Sequence, residues 1–417
     1  MNALIKSRLG CMMFLNYFIW GAWYVTLGTW LATALRFSGQ QIGWIAGTTA
    51  IGAMISPFFA GLVADRSLAT QKVLGILHGC GALLLWVGSG QTSFLSLYIA
   101  VLVYSICYMP TLALTNALAF RQMQDPRQEF GVIRVFGTIG WIVAGLMVGT
   151  LGLEATAVPM RIAAAASVLM ALYSFTLPDT PPLATQTPFR LAHIIPTESL
   201  QLFRNRSFAV FALVSFLICI PLQFYYAFAN LFLNEIGIPN AAGKMTGGQM
   251  SELFCMLLLP WFFRRLGVKY TLALGMFAWV ARYLCFAYGD GHGLMWMLWG
   301  GIVLHGICYD FFFVVGQIYV DRAAPVALRA ATQGVITFLT YGVGMFVGSG
   351  ASGWIVDRFA QTGPVTIVNH DWRSIWISAA VFSAAVLMVF LAFFTEQKGV
   401  SLSENTVEKQ RAARAAL

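Results

Sequence analysis

Glu252, Asp310, Arg134, Arg282 and His305 are ionisable residues that fall inside long apolar stretches of this 417-residue sequence, with Gln223 and Gln249 as uncharged companions. A bilayer holds such groups only at a cost, so they mark substrate or ion pathways, proton relays or structural ion pairs. Gln249 and Glu252 lie one helical turn apart and share a face. A carboxylate at that depth must be protonated, paired or hydrated; it can bind a polar ligand, carry a proton or hold helices together. His305 and Tyr309 share a face by i,i+4 spacing, and Asp310 projects beside it. An imidazole, a phenol and a carboxylate on one turn can hold a polar ligand and exchange a proton, although His305 alone also reads as a packing histidine. Arg134 follows Asp125-Pro126 by eight or nine residues, which puts it roughly 12 Å into its helix. It either snorkels to the surface or faces a cavity, where it would pair with a carboxylate or a substrate oxygen. Arg282, at a similar depth, reads mainly as a structural partner. Trp20 and Trp23 are expected on one face near mid-membrane, where their rings either stack on a planar ligand or simply pack.

The elements that must position these residues are membrane helices. Of all residues, 59% are hydrophobic and 10% charged, and the mean hydropathy is +0.75. A soluble domain wets its surface with far more charge, and a spanning helix needs roughly 20 mostly apolar residues. Apolar segments are expected at 9–35, 42–64, 72–91, 93–119, 127–153 and 158–178, then at 207–234, 243–263, 269–288, 293–320, 327–353 and 373–395. The first run follows Lys6 and Arg8, is too long for a signal-peptide core and lacks a clear cleavage site. The expected fold is an all-α membrane protein of twelve helices in two six-helix bundles, 1–178 and 207–395, with a cytoplasmic linker at 179–206 and a cytoplasmic tail at 396–417.

Charge gives the orientation. With the amino terminus inside, eighteen Lys and Arg residues fall in cytoplasmic regions and five (Arg36, Arg161, Lys244, Arg358 and Arg373) in outer loops. That asymmetry predicts both termini in the cytoplasm, and an odd number of spans would scramble it. The same distribution accounts for the formal net charge of +9, and no continuous basic stripe points to nucleic acid. Weak internal echoes agree with two halves of common origin. Cys107-Tyr108 recurs as Cys308-Tyr309, Arg134 as Arg329, and Gly145-Leu-Met-Val-Gly149 as Gly344-Met-Phe-Val-Gly348.

Other chemistries find little support. The seven cysteines lie in apolar stretches without ligand spacing, so no metal site or disulfide framework is indicated. No GxxxxGK[ST] or HExxH string occurs, so neither a nucleotide-driven pump nor a zinc hydrolase is indicated. No cofactor is expected, and a gradient-driven carrier is the simplest remaining mechanism. Gly61-Leu-Val-Ala-Asp65-Arg66, between the second and third segments, suits a cytoplasmic hinge that makes and breaks charge contacts during a conformational cycle.

The Gly61-x-x-x-Asp65-Arg66 string and the six-plus-six layout resemble the major facilitator superfamily. More closely, the chain resembles the bacterial nucleoside:proton symporters. The likeness is carried by Trp20-Gly-Ala-Trp23, Tyr108-Met-Pro-Thr-Leu-Ala-Leu-Thr-Asn116, Ile133-Arg134-Val-Phe-Gly-Thr138-Ile-Gly, Gln249-Met-Ser-Glu252, Tyr309-Asp310-Phe and Ala331-Thr-Gln333-Gly. The resemblance implies proton-coupled nucleoside uptake through a cavity between the halves of a monomer in the bacterial inner membrane. It implies substrate contacts at Arg134, Thr138, Trp141, Gln223, Tyr226, Gln249, Glu252, His305, Tyr309 and Asp310, with Glu252 and Asp310 as proton-coupling candidates. The sequence departs from the family pattern at Tyr226 (asparagine there), His305 (tyrosine) and Trp141 and Tyr309 (phenylalanines). These positions would meet base or ribose, which leaves another small polar solute, such as a sugar or modified nucleoside, as the alternative cargo.

Overall fold

A chain immersed in lipid must satisfy its backbone polar groups internally, and helices are the local solution. The computed structural model describes residues 2–59, 68–182, 197–362 and 368–396. The first expected span forms as α1 (Ala3–Trp23) and α2 (Leu27–Thr33). It begins earlier than hydropathy indicates because Asn2 caps it, Oδ1 accepting from Leu4 N at 3.2 Å. The next five spans are α3 (Gly39–Phe59), α4 (Thr70–Gly88), α5 (Phe94–Gln122), α6 (Pro126–Thr150) and α7 (Val158–Ser174). A short α8 (Thr197–Leu200) and a 3-10 turn lead into α9 (Arg206–Glu235).

α10 (Ala241–Tyr288) holds two expected spans, which meet at Gly267. The φ of 69° there is one that side-chain-bearing residues rarely adopt, so glycine permits the reversal. Glu396 caps the second limb, accepting from Val268 N at 3.2 Å and Lys269 N at 3.4 Å. The tenth span is α11 (Met295–Tyr309) and α12 (Val315–Ala323), joined through a π-helical turn at Asp310–Val314. The eleventh, α13 (Arg329–Thr337) and α14 (Met345–Arg358), is likewise joined through Phe338–Gly344. A small hairpin, β1 (Ala360–Thr362) against β2 (Val368–His370), precedes α15 (Trp372–Phe393). Among the described residues this makes twelve spans. Eight helices are individually long and apolar enough to cross a membrane; α10 counts twice, and the interrupted α1–α2, α3 and the 17-residue α7 complete the set. The hinge motif Gly61, Asp65 and Arg66 lies outside the described residues, as do 183–196 of the linker and 397–417 of the tail.

Within the first half α1 packs on α6 and α7, α4 on α5 and α7, and α3 on α5; within the second, α10 packs on α11 and α15, and α9 on α14 and α15. Small residues allow these close approaches. Polar ties reinforce them: Tyr108 Oη donates to the Asn16 carbonyl at 2.6 Å, and Thr111 Oγ1 donates to Asn16 Oδ1 at 3.1 Å, joining α5 to α1.

The halves meet along α3 with α14, α6 with α10, and α2 with α9. Among the described residues, every hydrogen bond between the halves lies at one end, beside the α2–α3, α6–α7, α9–α10 and α14–α15 connections. Glu154 takes Asn230 Nδ2 at 2.8 Å, Asn234 Nδ2 at 2.7 Å and Ala242 N at 3.1 Å. Thr29 Oγ1 donates to Asn230 Oδ1 at 2.6 Å. Asp357 accepts from Gly39 N and from Gln40 N, the latter at 2.9 Å. Two carboxylates thus each cap a helix that belongs to the opposite half, where the helix dipole favours negative charge.

Candidate functional site

Below that closed end lies a cavity of about 470 Å³ between the halves, bounded by both. This is within the ~300–1,000 Å³ typical of small-molecule sites. Its lining extends toward the opposite face through Ser56, Ala113, Arg134 and Thr337.

Helical spacing determines which side chains arrive there. On α6, Arg134, Thr138 and Trp141 stand at i, i+4 and i+7 and all line the cavity. Across from them the second half contributes Tyr226 from α9, Gln249 and Glu252 from α10, and His305 and Tyr309 from α11. Eight of the ten expected contact residues are therefore together. The other two stand behind the wall. Gln223 is fully buried, packed near Gly348 of α14, and its amide has no hydrogen-bond partner. Asp310 is 1% exposed, and its Oδ2 has no hydrogen-bond partner. It is the first residue of the π-helical turn, one position past Tyr309, and this rotation carries it off the cavity face toward Glu252 and Cys255 of α10.

Aromatic rings form much of the remaining surface. Trp20 lies 5.3 Å from Trp141 edge-on and 5.7 Å from Tyr24, and Tyr24 lies 6.3 Å from Tyr226. Trp23, expected beside Trp20, instead turns into the first half, 1% exposed and edge-on to Tyr104 at 5.4 Å. At about 100° per residue Trp23 is turned roughly 60° to one side of Trp20, toward α5, whereas Tyr17 and Tyr24 are turned to the other side, toward the cavity. The α1 face that does line the cavity is Tyr17, Trp20 and Tyr24, at i, i+3 and i+7. That periodicity was available in the sequence. Thr49 and Tyr341, also lining, carry no such signal.

The charges are arranged across the gap. The Arg134 guanidinium lies over the Tyr17 ring, 4.1 Å from its centroid, and has no acidic partner among the described residues. It faces the cavity rather than snorkelling. Opposite it, Glu252 Oε1 is 2.7 Å from His305 Nε2. Behind His305, Arg282 Nη1 is 2.8 Å from Nδ1, so the structural partner of Arg282 is that imidazole. Tyr341 Oη donates to Tyr309 Oη at 2.9 Å, linking the π-helical segment Phe338–Gly344 to the end of α11 at the cavity wall. A ligand here would meet a cation and rings on one side and a carboxylate, amide and phenols on the other.

This architecture and site define a membrane carrier of small molecules, and the comparisons with known proteins specify which kind. A model of the nucleoside H+ symporter family matches residues 2–399. The chain is 42% identical over 400 residues to the Escherichia coli K12 protein named "Putative nucleoside transporter YegT", covering 94% of each chain. It is 34% identical over 406 residues to the xanthosine permease of the same organism, covering 94% of this chain and 95% of that one. Crystal structures of nucleoside transporter NupG, of the protein and of a point mutant, superpose with TM-scores of 0.86 and 0.89 at 31% and 30% identity. They cover 95% and 94% of this chain and 100% of theirs. The chain belongs to the nucleoside H+ symporter family and has the twelve-helix major facilitator fold. It is a proton-coupled nucleoside transporter of the membrane, not an enzyme.

Proposed function

We propose that the protein imports nucleosides across the bacterial inner membrane with a proton, by alternating access of one central site. The observation that carries this reading is the cavity itself: both halves line it, Arg134 stands across it from Glu252, and polar latches close it at one end. The latched end is the outer one in this proposal, because Arg36, Arg161, Lys244, Arg358 and Arg373 cluster by those connections while most of the cationic residues lie at the other. The conformation described is then inward-facing, with both termini cytoplasmic, and the bundles 1–178 and 207–395 of a monomer rock about the site.

Gln249 and Glu252 would bind ribose hydroxyls, Arg134 and Thr138 an oxygen-bearing edge, and Trp20, Trp141 and Tyr226 the faces of the base. Asp310, buried behind Glu252, would hold the transported proton or relay it to that carboxylate. One proton moving inward across 100 mV supplies about 2.3 kcal/mol, enough for roughly 50-fold accumulation.

The test is uptake of radiolabelled uridine, adenosine and xanthosine into proteoliposomes, with and without an inward proton gradient. Gradient-dependent accumulation of at least one is expected, and counterflow distinguishes a carrier from a transport-dead receptor. No uptake of any of the three by folded protein would remove the proposal in favour of another small polar solute.

A further inference from the structure

Arg282 takes no part in lining the cavity, yet its chemistry points there. It is fully buried on the second limb of α10, with Cζ 3.5 Å from the centroid of the Tyr225 ring. That ring in turn stacks on His305 at 5.2 Å. A guanidinium used as helix glue spreads its fork over carboxylates or carbonyl oxygens. Here Nε and Nη2 have no hydrogen-bond partner, and the one bond is from Nη1 to His305 Nδ1, at 2.8 Å.

That bond determines where the imidazole proton sits. Arginine has donors only, so Nδ1 must supply the lone pair. The proton of a neutral ring is then on Nε2, which lies 2.7 Å from Glu252 Oε1 and donates to it. The other tautomer would set a lone pair against the carboxylate and an N–H against the guanidinium. The imidazolium would also set an N–H against it. One protonation pattern satisfies the whole chain of three side chains.

We propose that Arg282 is a positioning residue of the transport site: through His305 it selects the Nε2–H tautomer and so orients the Glu252 carboxylate toward the substrate. The inference rests on the nucleoside-transport reading for its consequence and on hydrogen-bond geometry for its cause. Two of the three residues come from the two limbs of α10 and the third from α11, so the alignment also couples three spans at the site.

The first test reads the cause. In wild-type protein labelled with 15N-histidine, His305, assigned among the five histidines by the spectrum of His305→Gln, should show an unprotonated Nδ1 and a protonated Nε2. A protonated Nδ1 overturns the proposal. The second test reads the consequence. Arg282→Met should raise the half-saturation concentration for uridine or adenosine by about tenfold, the loss of roughly one well-made buried hydrogen bond. Arg282→Lys, which keeps one donor, should recover part of that loss. In a His305→Gln background the Arg282→Met change should add little, because the residue it acts through is gone. Unchanged half-saturation, or fully additive effects, overturns the positioning role. Should Arg282→Met fail to give monodisperse protein, Arg282→Lys and the wild-type tautomer still decide. If wild-type protein takes up neither nucleoside, the functional reading falls, while the tautomer measurement tests the hydrogen-bonded chain by itself.

Discussion

Replacing Glu154 by alanine withdraws one acceptor group from three donors at once. The carboxylate is 4% exposed and takes Asn230 Nδ2, Asn234 Nδ2 and Ala242 N across the junction of the halves. When the halves part, these donors regain water, so each bond is worth only its net value, about 1 kcal/mol. Three bonds give about 3 kcal/mol in favour of closing this end, the outer one in the proposed orientation, or a population ratio of roughly 100-fold. Thr246, 3% exposed and one turn beyond Ala242 toward Gln249, lies beneath the latch and against Gly145 of α6. In a background lacking the seven native cysteines, Thr246→Cys should react slowly with a membrane-impermeant maleimide added outside. Adding Glu154→Ala should accelerate that reaction by up to about 100-fold, the population shift just worked out. Equal rates in folded, monodisperse protein would refute the latch, and with it the assignment of this end as the outer gate.

Glu252→Gln and Asp310→Asn should each abolish gradient-driven nucleoside accumulation; wild-type accumulation by both would contradict their place in proton coupling. A methyl at Gly43 would overlap the Ser349 carbonyl of α14. Gly43→Val should therefore prevent the outer end from closing, lowering uptake and leaving Thr246→Cys reactive from outside; normal uptake would show that α3 and α14 need not meet. Asn16 is fully buried and accepts from Thr111 at 3.1 Å. Asn16→Ala should lower the thermal unfolding temperature by a few degrees, reflecting about 1–2 kcal/mol for the lost bond and the space left. An unchanged melting profile would mean that the Asn16 side chain adds nothing to the α1–α5 contact, leaving packing and the Tyr108 bond to the Asn16 carbonyl to hold it.

Much of the fold was legible along the chain because the bilayer imposes its demand locally. Every window of roughly 20 residues either can or cannot be immersed, so hydropathy alone located twelve spans, and the loop cations supply the orientation proposed for them. The misreadings are of geometry within a span. Hydropathy does not register the Asn2 cap that lengthens α1, the break between α1 and α2, or the π-helical turns at Asp310–Val314 and Phe338–Gly344.

The site divides in the same way. Glu252, His305, Arg134 and Asp310 stood out from sequence because an ionisable group in an apolar run needs a reason, whatever its neighbours. Which of them pair with which did not. Which face of α1 meets the cavity, and so Trp20 rather than Trp23, depends on how α1 rolls against α5 and α6. Arg282 and His305 are 23 residues apart, and Glu154 and Asn230 are 76 apart. No local pattern joins such pairs, since a hydrogen bond is a matter of a few tenths of an ångström that only packed helices determine. The sequence by itself established a twelve-span carrier with costly polar groups; the tertiary structure decided which of them face one another, which stand behind, and which end is latched shut.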